Sequence, residues 1–333
     1  ISSNKMVMQK VSIGIVGGAG YTGGELLRVL LRHPNATISF VHSSSNAGEL
    51  VNKVHTDLLG DTELIFAKEI NSSVDVLFLC VGHGDAQKFL ATNEIASSVK
   101  IIDLSQDFRL NSSASIGDRK FVYGLPELQR DAIRSAQHIA NPGCFATAIQ
   151  LGLLPLASKN LLKEVYTTGI TGSTGAGQGM SSTSHFSWRA NNIGAYKTLN
   201  HQHIHEIHQS LGLLQGNQAA EVYFVPWRGD FTRGIFVTSV ISSDMSMDAL
   251  YELYTDFYKD HPFTHVSTNA IDLKQVVNTN KCFIHIEKQG NKIAIHSVID
   301  NLLKGAVGQA VQNMNLIFGL EETTGLHIKA NYF

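Results

Sequence analysis

The chain has 333 residues, 43% apolar and 16% charged, with a formal net charge of −2. That length exceeds one simple core and points to two domains, and so small a charge excludes a field able to hold nucleic acid or an anionic membrane. Its three cysteines, Cys80, Cys144 and Cys282, cannot all pair, which argues for free thiols in a reducing, cytoplasmic setting; no apolar run nears the ~20 residues of a membrane span, and Ile1 to Met8 lacks a signal-peptide core.

Residues 11–17 (VSIGIVG) form a short apolar, β-branched run that stops at glycines and reads as a buried strand. A helix is expected over 21–32, where Leu26, Leu27, Leu30 and Leu31 recur at helical spacing before His33-Pro34. Strands follow at 37–41, 74–81 and 100–104, with a helix over 85–96 between the last two. Strands alternating with helices predict a parallel, doubly wound α/β sheet of Rossmann type. After Cys144 the texture changes. A helix is expected over 146–156, then strands at 164–170, 222–225, 234–241, 282–288 and 292–298. Several of these alternate, which suits a second, α+β domain whose mixed or antiparallel sheet has one covered face. Residues 302–318 read as a closing amphipathic helix. The Gly- and Ser-rich stretch 169–184 is long for a passive loop and is expected to be functional.

Between the first strand and first helix lies Gly17-Gly18-Ala19-Gly20-Tyr21-Thr22-Gly23. It satisfies both G-x-x-G-x-x-G and G-x-G-x-x-G in the required strand–turn–helix context. Glycines let backbone approach a pyrophosphate, and the helix N-terminus offers amide donors. A tight turn without a ligand would use the same residues. An NAD site usually carries Asp or Glu at the end of the second strand. Here that end reads His42-Ser43-Ser44-Ser45-Asn46, with no carboxylate to repel a 2′-phosphate and with Ser43 and Ser44 able to bond it. The expected cofactor is therefore NADP; relaxed cofactor choice stays open, since no arginine is present there.

Asn141-Pro142-Gly143-Cys144 bends the chain into an apolar helix. A thiol at a helix N-terminus has its thiolate stabilised, and the thiolate is the nucleophile. Cys80 and Cys282 sit in apolar strand-like runs and read as structural. A nucleophilic thiol needs a proton-transfer partner, and four histidines with a glutamate fall within the eight residues from His201 to His208. His201, His205 and His208 on one helical face would suit a metal, but no other cluster has ligand spacing, and no metal is expected.

Together these segments resemble the N-acetyl-gamma-glutamyl-phosphate reductase family of the semialdehyde dehydrogenases. The likeness covers nearly the whole chain and rests on Gly17–Gly23, on 102–110 (IDLSQDFRL), on 122–127 (VYGLPE), on Asn141-Pro142-Gly143-Cys144, and on 298–310 (VIDNLLKGAVGQA). It implies a glyceraldehyde-3-phosphate-dehydrogenase-like fold, with an NADP-binding domain formed by residues 8–143 and 303–333, the tail helix returning to it, and a catalytic and dimerisation domain over 144–302. It implies Cys144 as nucleophile and His201 as acid/base, with His203 and Glu206 in support. On the substrate side it implies Arg109, Asn141, Gly175, Gln178, His203, Glu206 and Arg233. On the cofactor side it adds Ser105, Gly175, Gly177 and Asn301. The implied activity is NADPH-dependent reduction of an acyl phosphate, N-acetyl-glutamyl 5-phosphate, to the semialdehyde in arginine biosynthesis, with release of phosphate, by a homodimer or homotetramer. Where the family carries arginines this chain has Gln178 and Gln202, and where it carries a proline, His205. An N-succinyl substrate is therefore an alternative. So are aspartate-semialdehyde dehydrogenase activity and, in another class, a non-catalytic dinucleotide sensor.

Overall fold

The computed structural model describes residues 10–71, 73–216 and 220–333, so residues 8 and 9 of the expected nucleotide-binding unit lie outside it. The N-terminal half forms an eight-stranded sheet. Its strands are β1 (Val11–Val16), β2 (Ala36–His42), β3 (Phe66–Ala67), β4 (Val76–Leu79), β5 (Lys100–Asp103), β6 (Ser115–Ile116), β7 (Arg119–Tyr123) and β8 (His138–Ala140). They stand in the order β3-β2-β1-β4-β5-β8-β7-β6, parallel throughout except for the β6–β7 edge pair. Helix α1 (Tyr21–Leu30) links β1 to β2, followed by a short α2 (Val51–Val54); α3 (Asp85–Thr92) links β4 to β5, and α4 (Pro126–Arg134) links β7 to β8. Both faces of the sheet are covered. Leu26, Leu27 and Leu30 of α1 pack on one face, and Ala86 of α3 joins Leu77, Leu79 and Ile101 on the other. Each such fully buried aliphatic side chain contributes about 1.5–3 kcal/mol.

Helix α5 (Cys144–Ala157) leads into the second half. Residues Phe145 to Ala157 are all buried, as befits a helix apolar on every side. The second sheet has seven strands: β9 (Glu164–Thr171), β10 (Gly194–Ala195), β11 (Glu221–Arg228), β12 (Ile235–Ser242), β13 (Thr264–Ser267), β14 (Cys282–Gln289) and β15 (Lys292–Ile299). Their order is β10-β11-β9-β12-β15-β14-β13; β9–β11 and β13–β14 are parallel and the rest antiparallel, which makes the sheet mixed. The short α6 (Phe186–Arg189) lies in the connection before β10. Helices α5, α7 (His203–Leu214) and α8 (Met247–Tyr258) cover one face through Leu151, Leu154, Leu211, Leu250 and Tyr254. On the opposite face Ile271 and Val276 cover Phe236, Phe283 and Val298, and the β9–β11 side is open. There Tyr166 and Tyr223, 54% and 37% exposed, stack with ring centroids 5.2 Å apart.

The closing segment corrects one expectation. It is not a single amphipathic helix: Leu303–Val307 is a π-helical turn, and α9 (Gly308–Ile317) then runs with all ten residues buried. Its polar positions face protein rather than water, so each carries a partner. Gln309 Nε2 donates to Thr147 Oγ1 at 3.2 Å, Asn313 Nδ2 to Gly124 O at 2.9 Å, and His33 Nε2 meets Asn315 Oδ1 at 3.0 Å. Its apolar residues Ala310, Val311 and Met314 join the α1 face of the first sheet. The tail thus returns to the nucleotide-binding half.

Candidate active site

The glycine turn divides its residues between folding and binding. Gly17 has φ +79°, and a Cβ there would lie 2.4 Å from Cys80 O; one on Gly18 would lie 2.2 Å from Val41 Cγ1, and one on Gly23 2.5 Å from Gly18 O. These three positions are closed by the protein itself. Gly20 differs: nothing lies within 4 Å of its missing Cβ. It is the N-cap of α1, no side chain caps that end, and Gly20, Tyr21 and Thr22 line a cleft that Cys144 also lines. An open glycine ahead of uncapped helix amides fits the pyrophosphate of a dinucleotide.

The second half of the site is the bend before α5. Gly143 is the N-cap, and a Cβ on it would sit 2.4 Å from His203 Nε2. Its N–H donates to Glu206 Oε2 at 2.9 Å, and the Tyr123 hydroxyl donates to the same oxygen at 2.8 Å. Arg109 Nη1 donates to Glu206 Oε1 at 3.1 Å, Nε to Asn141 O at 2.8 Å and Nη2 to Leu104 O at 3.0 Å. A buried Arg109–Glu206 pair, with its remaining groups satisfied, thus holds the bend from both sides.

Cys144 follows as the first residue of α5, half-buried on the cleft wall. Burial pushes its thiol up to about 11, while the amides of Phe145 and Cys144 itself and the Arg109 guanidinium pull the other way. The helix terminus therefore acts as expected but is outweighed by desolvation, so the free thiol is protonated at neutral pH. His201 lines the same cleft, its ring edge-on to Phe145, Tyr196 and Phe224. Burial, and then Lys197, lower its pKa to about 4, so the ring is neutral. Its Nδ1 accepts the His203 amide proton at 3.2 Å, which leaves the ring proton on Nε2. His203 is buried and also held neutral by burial, with its Nε2 4.0 Å from Glu206 Oε1.

The cleft, of about 460 Å³, joins these parts: Gly20, Cys144, His201 and the loop from Gly172 to Gln178 line one space. Asn301, just beyond β15, braces that loop, its Nδ2 donating to Thr174 Oγ1 at 3.0 Å and its Oδ1 accepting from Gly234 N at 2.7 Å. Among the described residues, no three His, Cys, Asp or Glu side chains converge so as to hold a metal ion.

The family model for the semialdehyde dehydrogenase NAD binding domain matches residues 12–136, and that for the semialdehyde dehydrogenase dimerisation domain matches residues 144–301. N-acetyl-gamma-glutamyl-phosphate reductases of Flavobacterium johnsoniae and Phocaeicola vulgatus are 55% and 54% identical over 97% of this chain and the whole of theirs. The chain belongs to the N-acetyl-gamma-glutamyl-phosphate reductase family. Its fold is shared more widely. An aspartate semialdehyde dehydrogenase II of Vibrio cholerae superposes with a TM-score of 0.72 at 17% identity over 93% of this chain and 99% of that one. An aspartate semialdehyde dehydrogenase of Candida albicans reaches 0.67 at 13% identity, again over 93% and 99%. Membership in the reductase family carries a nicotinamide dinucleotide cofactor, which the turn at Gly20 accommodates.

Not every residue that the reductase resemblance singled out reaches the cleft. Gly175, Gly177, Gln178, His203 and Asn301 line it. Asn141 and Arg109 line it too, but their polar groups already serve the fold: Asn141 Nδ2 donates to Ala306 O at 2.9 Å, and its Oδ1 accepts from Asn313 at 3.1 Å. Glu206 lies behind the wall, on Gly143. Arg233 lies outside the cleft, where Asp300, at 3.0 Å, and Glu25, at 2.7 Å, hold its guanidinium. The Ser105 side chain is likewise turned inward, its hydroxyl donating to Asp103 Oδ2 at 2.8 Å. Ser43 is buried and accepts from the Asn46 amide at 3.3 Å; Ser44 is exposed and lines a separate cavity with His42 and Lys68. Gly17, Gly18, Ala19 and Gly23 shape the turn without lining the cleft. The sequence reading missed His83, Tyr196, Lys197 and Arg228, which do line it. Cys80, read as a structural thiol, follows β4 and packs against the first core at the edge of the cleft lining.

Proposed function

We propose that this chain carries out the NADPH-dependent reduction of N-acetyl-glutamyl 5-phosphate to N-acetyl-glutamate 5-semialdehyde, with release of phosphate, as a step of arginine biosynthesis. The observation that carries the reading is one cleft holding Cys144 at a helix N-terminus, neutral His201 and the open turn at Gly20. The Cys144 sulfur attacks the γ-carbonyl as its thiol proton is lost, the carbon–oxygen bond to phosphate breaks, the departing phosphate takes up that proton, and a thioester remains on Cys144. The reduced nicotinamide, when bound, supplies a hydride. Cys144 then leaves the tetrahedral adduct as thiolate, and the aldehyde is freed. His201 presents its Nε2 proton to the substrate oxygen as negative charge develops there, and the amides at the start of α5 favour the thiolate. Glu206 and Arg109 hold the bend that aims the sulfur.

NADP over NAD is supported by the absence of a carboxylate in the segment His42 to Asn46 and by Lys68, which shares its cavity with Glu69 and Glu94. That lysine follows Ala67, the register partner of His42, and shares the cavity of Ser44. Two units are read as residues 8–143 with 303–333 and residues 144–302. A homodimer or homotetramer is supported by the open β9–β11 side of the second sheet, and a cytoplasmic setting by three free thiols. An N-succinyl substrate is the second reading, favoured by Gln178 and Gln202 at the cleft.

The test is phosphate-dependent reduction of NADP, comparing N-acetyl- and N-succinyl-glutamate semialdehyde. Turnover of the acetyl compound, abolished in Cys144→Ser with dinucleotide binding retained, is expected. Preference for the succinyl compound would replace the substrate. Full activity in Cys144→Ser would remove the mechanism.

A further inference from the structure

Three cationic side chains line the cleft, and they differ in what holds them. Arg109 is buried against Glu206. Lys197 Nζ donates to Gln202 Oε1 at 2.8 Å. Arg228 forms no ion pair with any described residue. Its guanidinium carbon lies over the Tyr196 ring, 4.5 Å from the centroid; the group also bonds the Tyr196 hydroxyl and donates to Thr183 Oγ1 at a long 3.5 Å. A second guanidinium, Arg189, is anchored nearby on Gly229 O at 2.7 Å, and its pKa is lowered by burial and by repulsion from Arg228. A half-buried cation with a like-charged neighbour and no carboxylate is costly unless an anion arrives.

The fold explains where this cation stands. Arg228 is the last residue of β11 and pairs in register with Thr171, the last of β9, from which the cleft loop departs toward Gln178. Tyr196 is tied to the same strand by its N–H donating to Pro226 O at 3.1 Å. Tyr196, Arg228 and Cys144 line the same cleft; burial raises the tyrosine's pKa, Cys144 adds to the rise, and Arg228 opposes it. Tyr196 and Thr183 steady the guanidinium yet engage only part of its five N–H donors, which leaves others to grip a carboxylate.

We infer that Arg228 is the specificity-determining residue that holds the substrate's carboxylate. This rests on the reading of the substrate as an N-acyl-glutamyl phosphate. In that molecule the carboxylate lies several carbon–carbon bonds from the reacting carbonyl, so its cation belongs one side chain away from Cys144 rather than beside it. The same cleft edge carries Gln178 and Gln202, and Arg228 supplies the charge that those amides lack.

Two readouts test it. In phosphate-dependent NADP reduction, Arg228→Gln should raise the semialdehyde KM by about tenfold or more while kcat and the KM for phosphate and NADP stay within about threefold, with Arg228→Lys in between. An unchanged semialdehyde KM, or a rise confined to phosphate, would overturn the assignment. Independently of turnover, N-acetylglutamate should protect Cys144 from iodoacetamide in the parent protein better than its α-amide does. Arg228→Gln should erase that difference. A parent protein inactive on the semialdehyde would sink the functional reading alone. A difference that survives in Arg228→Gln would sink this inference alone.

Discussion

At the scale of single residues, the turn at Gly17–Gly23 separates two kinds of glycine that look alike in sequence. Gly18 is required because Val41 occupies the place of its Cβ; Gly20 has open space there. Gly18→Ala is therefore expected to destabilise the fold by about 1–3 kcal/mol through overpacking. Gly20→Ala should leave the melting temperature within a degree or two while weakening dinucleotide binding at least about tenfold, since its methyl group enters the space meant for the ligand. Thermal melts and fluorescence titration with NADPH check both; equal melts for the two variants would remove the distinction. The same contrast separates Arg109 from Arg228. Each is an arginine in the cleft, yet one is buried against Glu206 and the other has no ion pair among the described residues, and only the neighbours brought by other elements decide which is which.

At the scale of elements, the bend before α5 and the segment after β15 are held by buried ion pairs. Lys304, in the π-helical turn, lies fully buried 2.8 Å from Glu127 at the start of α4. Burial raises the Glu127 pKa, but Lys304 and then His261 outweigh it, and the carboxyl ends below its usual range. Its folded pKa is depressed, so the pair's stabilisation is present above the unfolded value and is lost as pH falls through the folded one. Lys304→Met is expected to cost about 3–5 kcal/mol by stranding Glu127. Urea melts should show this loss at pH 7 and a smaller one near pH 4, where Glu127 protonates more readily in the variant; an equal loss at both would place the defect in packing. Much of this scale was legible beforehand. The strands at Val11–Val16, Ala36–His42 and Lys292–Ile299 announce themselves by apolar runs or alternation, and Cys144 by its Pro-Gly bend. Strand β7 was not legible, because it opens with Arg119-Lys120, nor was β8, at three residues. Helix α9 misled because Gln309, Gln312, Asn313 and Asn315 look like a wet face, yet tertiary partners bury them all. The ion pairs of Arg233 were not legible either, because Glu25, which holds it, comes from the other half.

At the scale of the molecule, one face of the seven-stranded sheet is uncovered on its β9–β11 side, with the stacked Tyr166 and Tyr223 standing out from it. Changing both tyrosines to glutamate is expected to turn an oligomer into a monomer of unaltered secondary structure, read by sedimentation and circular dichroism; an unaltered sedimentation coefficient would move the contact elsewhere. The burial of the last helix reaches further. Leu303, Val307, Val311 and Met314 complete the apolar layer on the α1 side of the first sheet, although more than 150 residues of the second half lie between them and β8 in the chain. On a ribosome, therefore, the dinucleotide half waits with one flank bare while everything up to α9 is being made. The first half cannot lock before the second has been made, and a polypeptide cut short ahead of Leu303 would keep the second core yet leave the first exposed to proteolysis along its α1 flank.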